Sequence, residues 1–299
     1  MTFDWIGKSE DGNTITLNRL NNEMFVFPSY FNHEWELANT DYIRIGAAID
    51  VETTGLDQSK DKIIEIGLRL FKFNRLTGEL LSLDSSYSGF QDPEVPLSSE
   101  VKAITGITDE MLRGETIDWI KTNELLSKCH IIIAHNASFD RPFIDKQSLE
   151  STNKIWGCSL KQVDWNAYGF QSQKLDVLSI YHGFFTDAHR ALNDSDALIY
   201  LLSLKNRSSQ YPYLFELLNN AKRPTILVSA LYAPFEMKDF LKNRNYRWDA
   251  QNKVWNKIIY KDQSEEEIQW LADSIYLGKF KGKTLEIQPI NNFKNPTLT

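Results

Sequence analysis

The stretch that most constrains this 299-residue chain is Ala48-Ile49-Asp50-Val51-Glu52-Thr53-Thr54-Gly55, an apolar run that ends in two acids, two hydroxyls and a glycine. Ile43 to Val51 reads as a buried strand. Residues two apart on a strand point to the same face, so Asp50 and Glu52 project together. Two carboxylates that close repel each other and lose hydration unless something positive sits between them, and the usual counter-charge is a metal ion.

The rest of the chain is expected to build a sheet around that strand. Ile63 to Phe73 alternates from Leu68 onward, Thr77-Gly78 supplies a turn, and a further strand starts at Leu80, which makes an antiparallel meander. Beyond it the pattern changes. Thr105 to Asp109 carries turn and helix-cap residues, Trp119, Ile120, Leu125 and Leu126 form a helical stripe, and His130 to Ala134 is the next strand. There follow a helix from about Phe139, with Pro142 in its first turn, and a strand over Ile155 to Leu160. Leu175 to Tyr181 and Asn193 to Leu204 read as two further helices. Strands in sequence and then alternating helices and strands predict an α/β fold, a mixed sheet flanked by helices.

Composition and punctuation set the expected boundaries. Residues 1–41, with Trp5, Phe25, Tyr30 and Trp35 and short strands at Met24 to Phe27, read as an extension packed on the main domain or as a partner-binding arm. The main domain is expected over 42–208, a linker over 209–223, a small basic and aromatic α+β domain over 224–280, and a tail over 281–299. No apolar run approaches the ~18 residues of a membrane span, and Met1-Thr2-Phe3-Asp4-Trp5 lacks the layout of a signal peptide. The expectation is a cytoplasmic protein without a membrane partner. Cys129 and Cys158 stand outside any C-x-x-C pair and read as buried thiols.

Two further stretches carry acids at element boundaries. His135-Asn136-Ala137-Ser138-Phe139-Asp140 follows the Ile131 strand, which puts Asp140 at a strand-to-helix transition, a usual place for a ligand in such a sheet. His189-Arg190-Ala191-Leu192-Asn193-Asp194 sets a histidine five residues before an acid at the start of a helix. Asp50, Glu52, Asp140 and Asp194 are hard oxygen donors, and with no cysteine nearby they suit Mg²⁺ or Mn²⁺ better than zinc. In-line attack on a phosphodiester needs such a set. One metal lowers the pKa of a bound water, and a second, about 3.5–4 Å away, steadies the attacking and leaving oxygens. A histidine can take the proton from that water, and His189 is the candidate. Singly, each feature has an ordinary reading: a D-x-E at a strand end is commonly a solvated loop start, Asp194 could cap its helix, and His189 could be a surface histidine. Asp196 reads as solvated, Asp145, Asp164 and Asp176 take no part, and His33, His130 and His182 have no evident partner.

Taken in order, Asp50 to Gly55, Thr105-Gly106-Ile107-Thr108, His135 to Asp140, Lys174-Leu175-Asp176-Val177-Leu178 and His189 to Asp194 resemble the motifs of the DnaQ-like, DEDDh exonuclease family, over roughly residues 43 to 205. The resemblance implies a ribonuclease H-like fold and two Mg²⁺ ions, with Mn²⁺ able to substitute. It implies removal of nucleotides from single-stranded DNA or RNA 3′ ends as nucleoside 5′-monophosphates. It further implies that Asp50 bridges both metals, that Glu52 and Asp194 hold the metal carrying the nucleophile, that Asp140 holds the second partly through water, and that His189 is the general base. Thr53, Thr54, Gly55 and Leu56 would grip or wedge the terminal nucleotide. Phe139 would stack near it or belong to the core, and His135 would orient its loop.

The formal charge of −7 conceals a positive region. Ala221 to Lys261 holds nine basic against three acidic residues, a net +6, together with seven Tyr, Phe and Trp residues. Tyr246-Arg247-Trp248-Asp249-Ala250-Gln251-Asn252-Lys253-Val254-Trp255 reads as strand, tight turn and strand after a helix from about Pro234 to Asn243. It resembles small domains of bacterial and phage DNA-processing proteins with a similar R-W-D, then K-x-W pattern. Arg244, Arg247, Lys253 and Lys257 are the candidate nucleic-acid contacts. Trp248 and Trp255 read as core anchors first and base-stacking platforms second, and Glu265 opens a closing helix around Trp270. The expectation is a metal-dependent 3′-to-5′ exonuclease, DNA slightly favoured over RNA, whose small domain helps hold substrate. The alternative is a non-catalytic protein that binds nucleic-acid ends, and no motif speaks to protein partners.

Overall fold

The computed structural model describes residues 8–187, 189–205 and 209–294. Expectations for Trp5, for the boundary residues 206–208 and for the last part of the tail, 295–299, lie outside the described residues. The chain divides into two compact units, Met1–Ala221 with Phe293–Thr299, and Lys222–Asn292.

In the first unit β1 (Ile43–Thr53), β2 (Ile63–Asn74) and β3 (Leu80–Phe90) form the expected meander, and β4 (Ile131–Ala134) and β5 (Ile155–Cys158) extend it from the other side of β1. The order is β3-β2-β1-β4-β5, antiparallel among the first three and parallel from β1 through β4 to β5. This is the predicted mixed sheet flanked by helices. β1 lies at its centre, and its two faces feed two cores. Ala47, Ile49 and Val51 pack with Leu125 and Leu126 of α1 (Trp119–Lys128) and with Phe143 and Ile144 of α2 (Ala137–Asp145). Ala48 lies on the opposite face. There Phe71 and Phe73 of β2 meet Leu178 of α3 (Leu175–Tyr181), Leu198 and Leu202 of α4 (Ala191–Ser203), and Leu217 of α5 (Tyr213–Ala221). Asp50 and Glu52 share the parity of Ala48 and so fall on the α4 side.

Several expectations are corrected. The linker over 209–223 is largely α5, because Tyr213, Leu214, Leu217 and Leu218 form a buried stripe that the polar residues before it obscured. The tail over 281–299 contains a strand, Lys283–Ile287, whose backbone pairs with Thr225–Ser229, and Phe293 then packs in the core of the first unit. Met24 to Phe27 forms no strand. Phe25 is buried and Val26 is exposed, but the pairing in this region falls at Asn18–Arg19, which lie parallel to Phe184–Phe185. Pro142 sits in the body of α2 rather than its first turn. Lacking an N–H, it leaves the Ser138 carbonyl without its helical donor, and that carbonyl accepts from the Gln58 side-chain amide at 3.2 Å. Asp196 is not solvated but forked on Arg69, with contacts of 2.5 and 2.8 Å. His130 accepts from the Ile45 N–H, and His182 bonds the Leu178 carbonyl and the Tyr213 hydroxyl.

The second unit is a four-stranded antiparallel sheet with two helices. Its elements are β6 (Thr225–Ala230), α6 (Lys238–Asn243), β7 (Arg247–Asp249), β8 (Val254–Tyr260), α7 (Ser264–Ser274) and β9 (Lys283–Ile287), in the order β9-β6-β8-β7. Ile226, Val228 and Ala230 pack with Leu241, Ile259 and Leu271. Tyr246 fills the role expected of a tryptophan anchor, being 1% exposed, whereas Trp248 on the edge strand is 50% exposed and Trp255 only packs against the rim of the core. Among the described residues no helix is long and apolar enough to cross a membrane, and the cysteines, Cys129 and Cys158, are free and buried.

The sheet meets α4 through backbone contact at one point. A Cβ on Gly67 of β2 would lie 2.1 Å from the carbonyl carbon of Ala191 and the nitrogen of Leu192. Backbone cannot yield as a flexible side chain can, so Gly67→Ala is expected to cost about 1–3 kcal/mol, the range for overpacking a close-packed site. Urea unfolding measures this, and an unchanged midpoint would contradict the packing described.

Candidate active site

Four acids and a histidine converge at the C-terminal end of β1. Asp50 and Glu52 come from the strand itself, and the register between β1 and β2 slips at Glu52/Thr53, an irregularity of the kind that re-aims side chains beside functional sites. Asp140 comes from the first turn of α2 after β4. It is 2% exposed, and its Oδ1 accepts from the Val51 N–H at 3.2 Å, which ties it to β1. Asp194 lies in the first turn of α4 and reaches back to accept the His189 N–H at 2.9 Å. His189 has a left-handed backbone, φ 61°, and its half-exposed ring places Nδ1 4.0 Å from Glu52 Oε1.

The electrostatics of this arrangement are one-sided. Burial pushes the Asp50 carboxyl well above the usual carboxylate range, and the charges of Asp140, Asp194, Glu52 and Glu65 push it further. Glu52 rises to about 7 through burial and then through Asp194 and Glu65, with Arg190 drawing it partly back. Asp140 and Asp194 are also raised, chiefly by burial, against backbone hydrogen bonds that favour their charged forms. Such a group binds protons for want of a better cation. Glu52, His189 and Asp194 each offer a ligand atom, all within 4.8 Å of one another, with Asp50 and Asp140 beside them. A donor set of carboxylates and one imidazole, without thiolate, fits a hard divalent ion.

The loop after β1 is braced from within. Thr53 Oγ1 donates to the Gly55 carbonyl at 2.6 Å, and Thr54 Oγ1 donates to Asp61 Oδ1 at 2.9 Å. The Asp57 N–H donates to the other Asp61 oxygen, and a Cβ on Gly55 would strike that carboxylate at 2.6 Å. Leu56 projects from this frame, 84% exposed. Phe139 is half-buried, its ring 5.2 Å from that of Phe143, so it belongs to the core at least in part. His135 bridges Ser159 Oγ at 2.7 Å and the Gln173 carbonyl at 2.8 Å. Burial lowers it to about 4, so Nε2–H donates to the carbonyl and Nδ1 accepts from the hydroxyl.

Of the four cations expected to meet nucleic acid, Arg244 and Lys257 converge on the buried Glu267, at 3.3 and 2.9 Å, while Arg247 and Lys253 are exposed. Two residues of the first unit were missed by sequence reasoning. Glu65 is a carboxylate 1% exposed, paired in register with Glu52 across β1 and β2. Arg190 contacts it at 3.2 Å. The available signal was a lone charge in the otherwise apolar run Ile63-Ile64-Glu65-Ile66.

Residues 47–202 match the RNase_T family model, described as an exonuclease. The chain is 35% identical over 159 residues to a DNA polymerase III PolC-type protein of Listeria welshimeri, covering 51% of this chain and 10% of that protein. It is 30% identical over 182 residues to the PolC-type protein of Clostridium perfringens, covering 58% and 12%. The chain therefore spans about a tenth of the length of these relatives. Among solved structures it is similar to Exonuclease X in complex with 5′ overhanging duplex DNA, with TM-score 0.41 and 22% identity over 57% of this chain and 99% of that one. It is also similar to E. coli Exonuclease I in complex with a dA16 oligonucleotide, with TM-score 0.47 and 16% identity over 73% and 63%. The matched segment covers more than half of the chain and contains all five converging groups, and the chain belongs to the DnaQ-like exonuclease family.

Proposed function

We propose that this exonuclease works from 3′ to 5′ with two Mg²⁺ ions and releases nucleoside 5′-monophosphates. The observation that carries the reading is the convergence of Asp50, Glu52, Asp140 and Asp194, each raised first by burial and then by neighbouring acids, around the half-exposed His189. The metal ions would supply the missing counter-charge and acidify the attacking water. Asp50 would hold both, Glu52 and Asp194 the one on the nucleophile side, and Asp140 the other. His189 would take the water's proton at a ring nitrogen, and its exposure lets the proton pass to solvent. With Thr53 and Thr54 bonded within their loop, Leu56 is the group free to wedge against the terminal nucleotide. The PolC-type relatives carry the matching segment within DNA polymerases, which supports DNA over RNA as the polymer.

Asp50→Ala is expected to lower kcat on a labelled single-stranded oligonucleotide by at least about 10³-fold, ~4 kcal/mol of barrier. Equal shortening by the variant and the unaltered protein would refute the reading, and a protein that binds ends without shortening them would favour the adaptor alternative. Matched DNA and RNA of one sequence decide the polymer.

Proton and metal compete for these carboxyls. Without metal, the folded state keeps protons that the unfolded chain releases above about pH 4. Stability should therefore fall as pH rises through about 6 for Asp194 and about 7 for Glu52 to about 8 for Asp140. Mg²⁺ binds the deprotonated site and should raise the melting temperature more at about pH 8 than at about pH 5, by several degrees once it exceeds its Kd a hundredfold, ~2.7 kcal/mol. A metal-induced shift independent of pH would count against the site.

The second unit is proposed to bind single strands through Arg247 and Lys253. If both meet phosphates, Arg247→Ala with Lys253→Ala should reduce the slope of log K against log salt by about 1.4, at ~0.7 per contact on a single strand. An unaltered slope would remove these residues from the interface.

A further inference from the structure

One face of β2 is given over to α4. Glu65, Gly67 and Arg69 alternate along it, in register with Glu52, Asp50 and Ala48 of β1. Glu65 receives Arg190 Nε at 3.2 and 3.4 Å on its two oxygens and the Ala191 N–H at 3.4 Å. The Gly67 carbonyl accepts from Ser195 Oγ at 3.0 Å, and Arg69 forks onto Asp196. Like charges set opposite on antiparallel strands are destabilising, so the buried carboxylate of Glu65 facing Glu52 calls for a compensating role. Its partners supply one. Arg190 and Ala191 directly follow His189, whose left-handed backbone costs of order 1–3 kcal/mol and persists only where its surroundings over-determine it. Asp194 grips the N–H of that residue on one side, and Glu65 grips the next two residues on the other. Arg190 is further seated over the Phe90 ring of β3, 5.4 Å from its centroid.

We propose that Glu65 and Arg190 form a positioning pair that fixes the His189 turn, and through it the direction in which the imidazole reaches the reacting water. The proposal rests on His189 acting as the base in the reaction proposed above. Glu65 itself touches neither substrate nor the reacting atoms. Arg190 offsets part of its charge, and Asp50, Glu52, Asp140 and Asp194 are the carboxyls left to meet the metal.

The test compares Glu65→Gln and Arg190→Ala, each alone and combined with His189→Ala, on a short oligonucleotide at saturating Mg²⁺. Misplacement of a reacting group by an ångström can cost up to about 100-fold. Each single variant should thus lose about 10- to 100-fold in kcat, with KM changed less than about twofold, and should add less than about twofold to the loss in the His189→Ala background. In the metal-free protein the ring resonances of His189, assigned by their absence in His189→Ala, should move or broaden in both variants while those of His135 and His182 stay. Arg190 is partly exposed, so its variant keeps the test decisive if Glu65→Gln folds poorly. Unmoved His189 resonances, or a full loss that persists without His189, would overturn the pair. If the unaltered protein cuts nothing, the proposed reaction fails, and the resonances alone decide whether the pair positions the ring.

Discussion

The constraint on which the molecule depends is an uncompensated negative charge at the end of its central strand. All four carboxyls are raised by burial, with neighbouring acids adding to it, and three elements hold them together. Asp50 and Glu52 are carried on β1, which β2 pairs along the acids and β4 pairs just before them, at Gly46 to Ala48. Asp140 is held by the Val51 N–H, and Asp194 by the helix that packs on Gly67. Close-packed backbone thus keeps together a donor set that fits a hard divalent ion.

β1 can bear this load because its two faces do different work. On one, Ala47, Ile49 and Val51 join a dry core with α1 and α2. On the other, small residues give way to acids toward the C-terminal end, while β2 alongside shifts from Phe73 and Phe71 to Arg69, Gly67 and Glu65. The sheet therefore changes along its length from an apolar surface into a polar seat for the start of α4. That seat delivers His189 and Asp194 to acids more than 130 residues earlier in the chain. A strand-to-helix junction elsewhere on the sheet, strapped by Gln58 to the Ser138 carbonyl that Pro142 leaves open, delivers Asp140 in the same way.

Much of this was legible in the sequence because the informative groups sit where patterns change. Asp50, Asp140 and Asp194 each mark an apolar run ending or a helix beginning, and period-2 alternation told which residues of β1 share a face. What stayed hidden depends on contacts between distant residues. Glu65 reads as an interruption in a strand, and its meaning lies in Arg190, 125 positions away. The same holds for Asp196, which looks solvated on its helix until Arg69 arrives from the sheet. The helix at Tyr213–Ala221 was missed for a local reason: the serines before it signalled a linker more strongly than four apolar residues signalled a stripe. Trp248 was expected inside on size alone, but the edge strand that carries it has one neighbour, and Tyr246 already fills the core.

The second unit shows why a count of charges is a poor guide to a binding surface. Its net +6 between Ala221 and Lys261 omits Glu267, which lies a few residues beyond that stretch and folds back beneath it. Burial alone would raise this carboxyl, but the hydrogen bonds from Lys257 and Arg244 hold it below its usual value, and both cations are bound in the exchange. Arg244 also lies over the Trp270 ring, 4.6 Å from its centroid. These two residues hold α7 against the sheet and have little charge left to offer a phosphate. Arg223 is forked onto Asp262 in a similar way. The cations that remain presented to solvent include Arg247 and Lys253 on the hairpin beside the exposed Trp248.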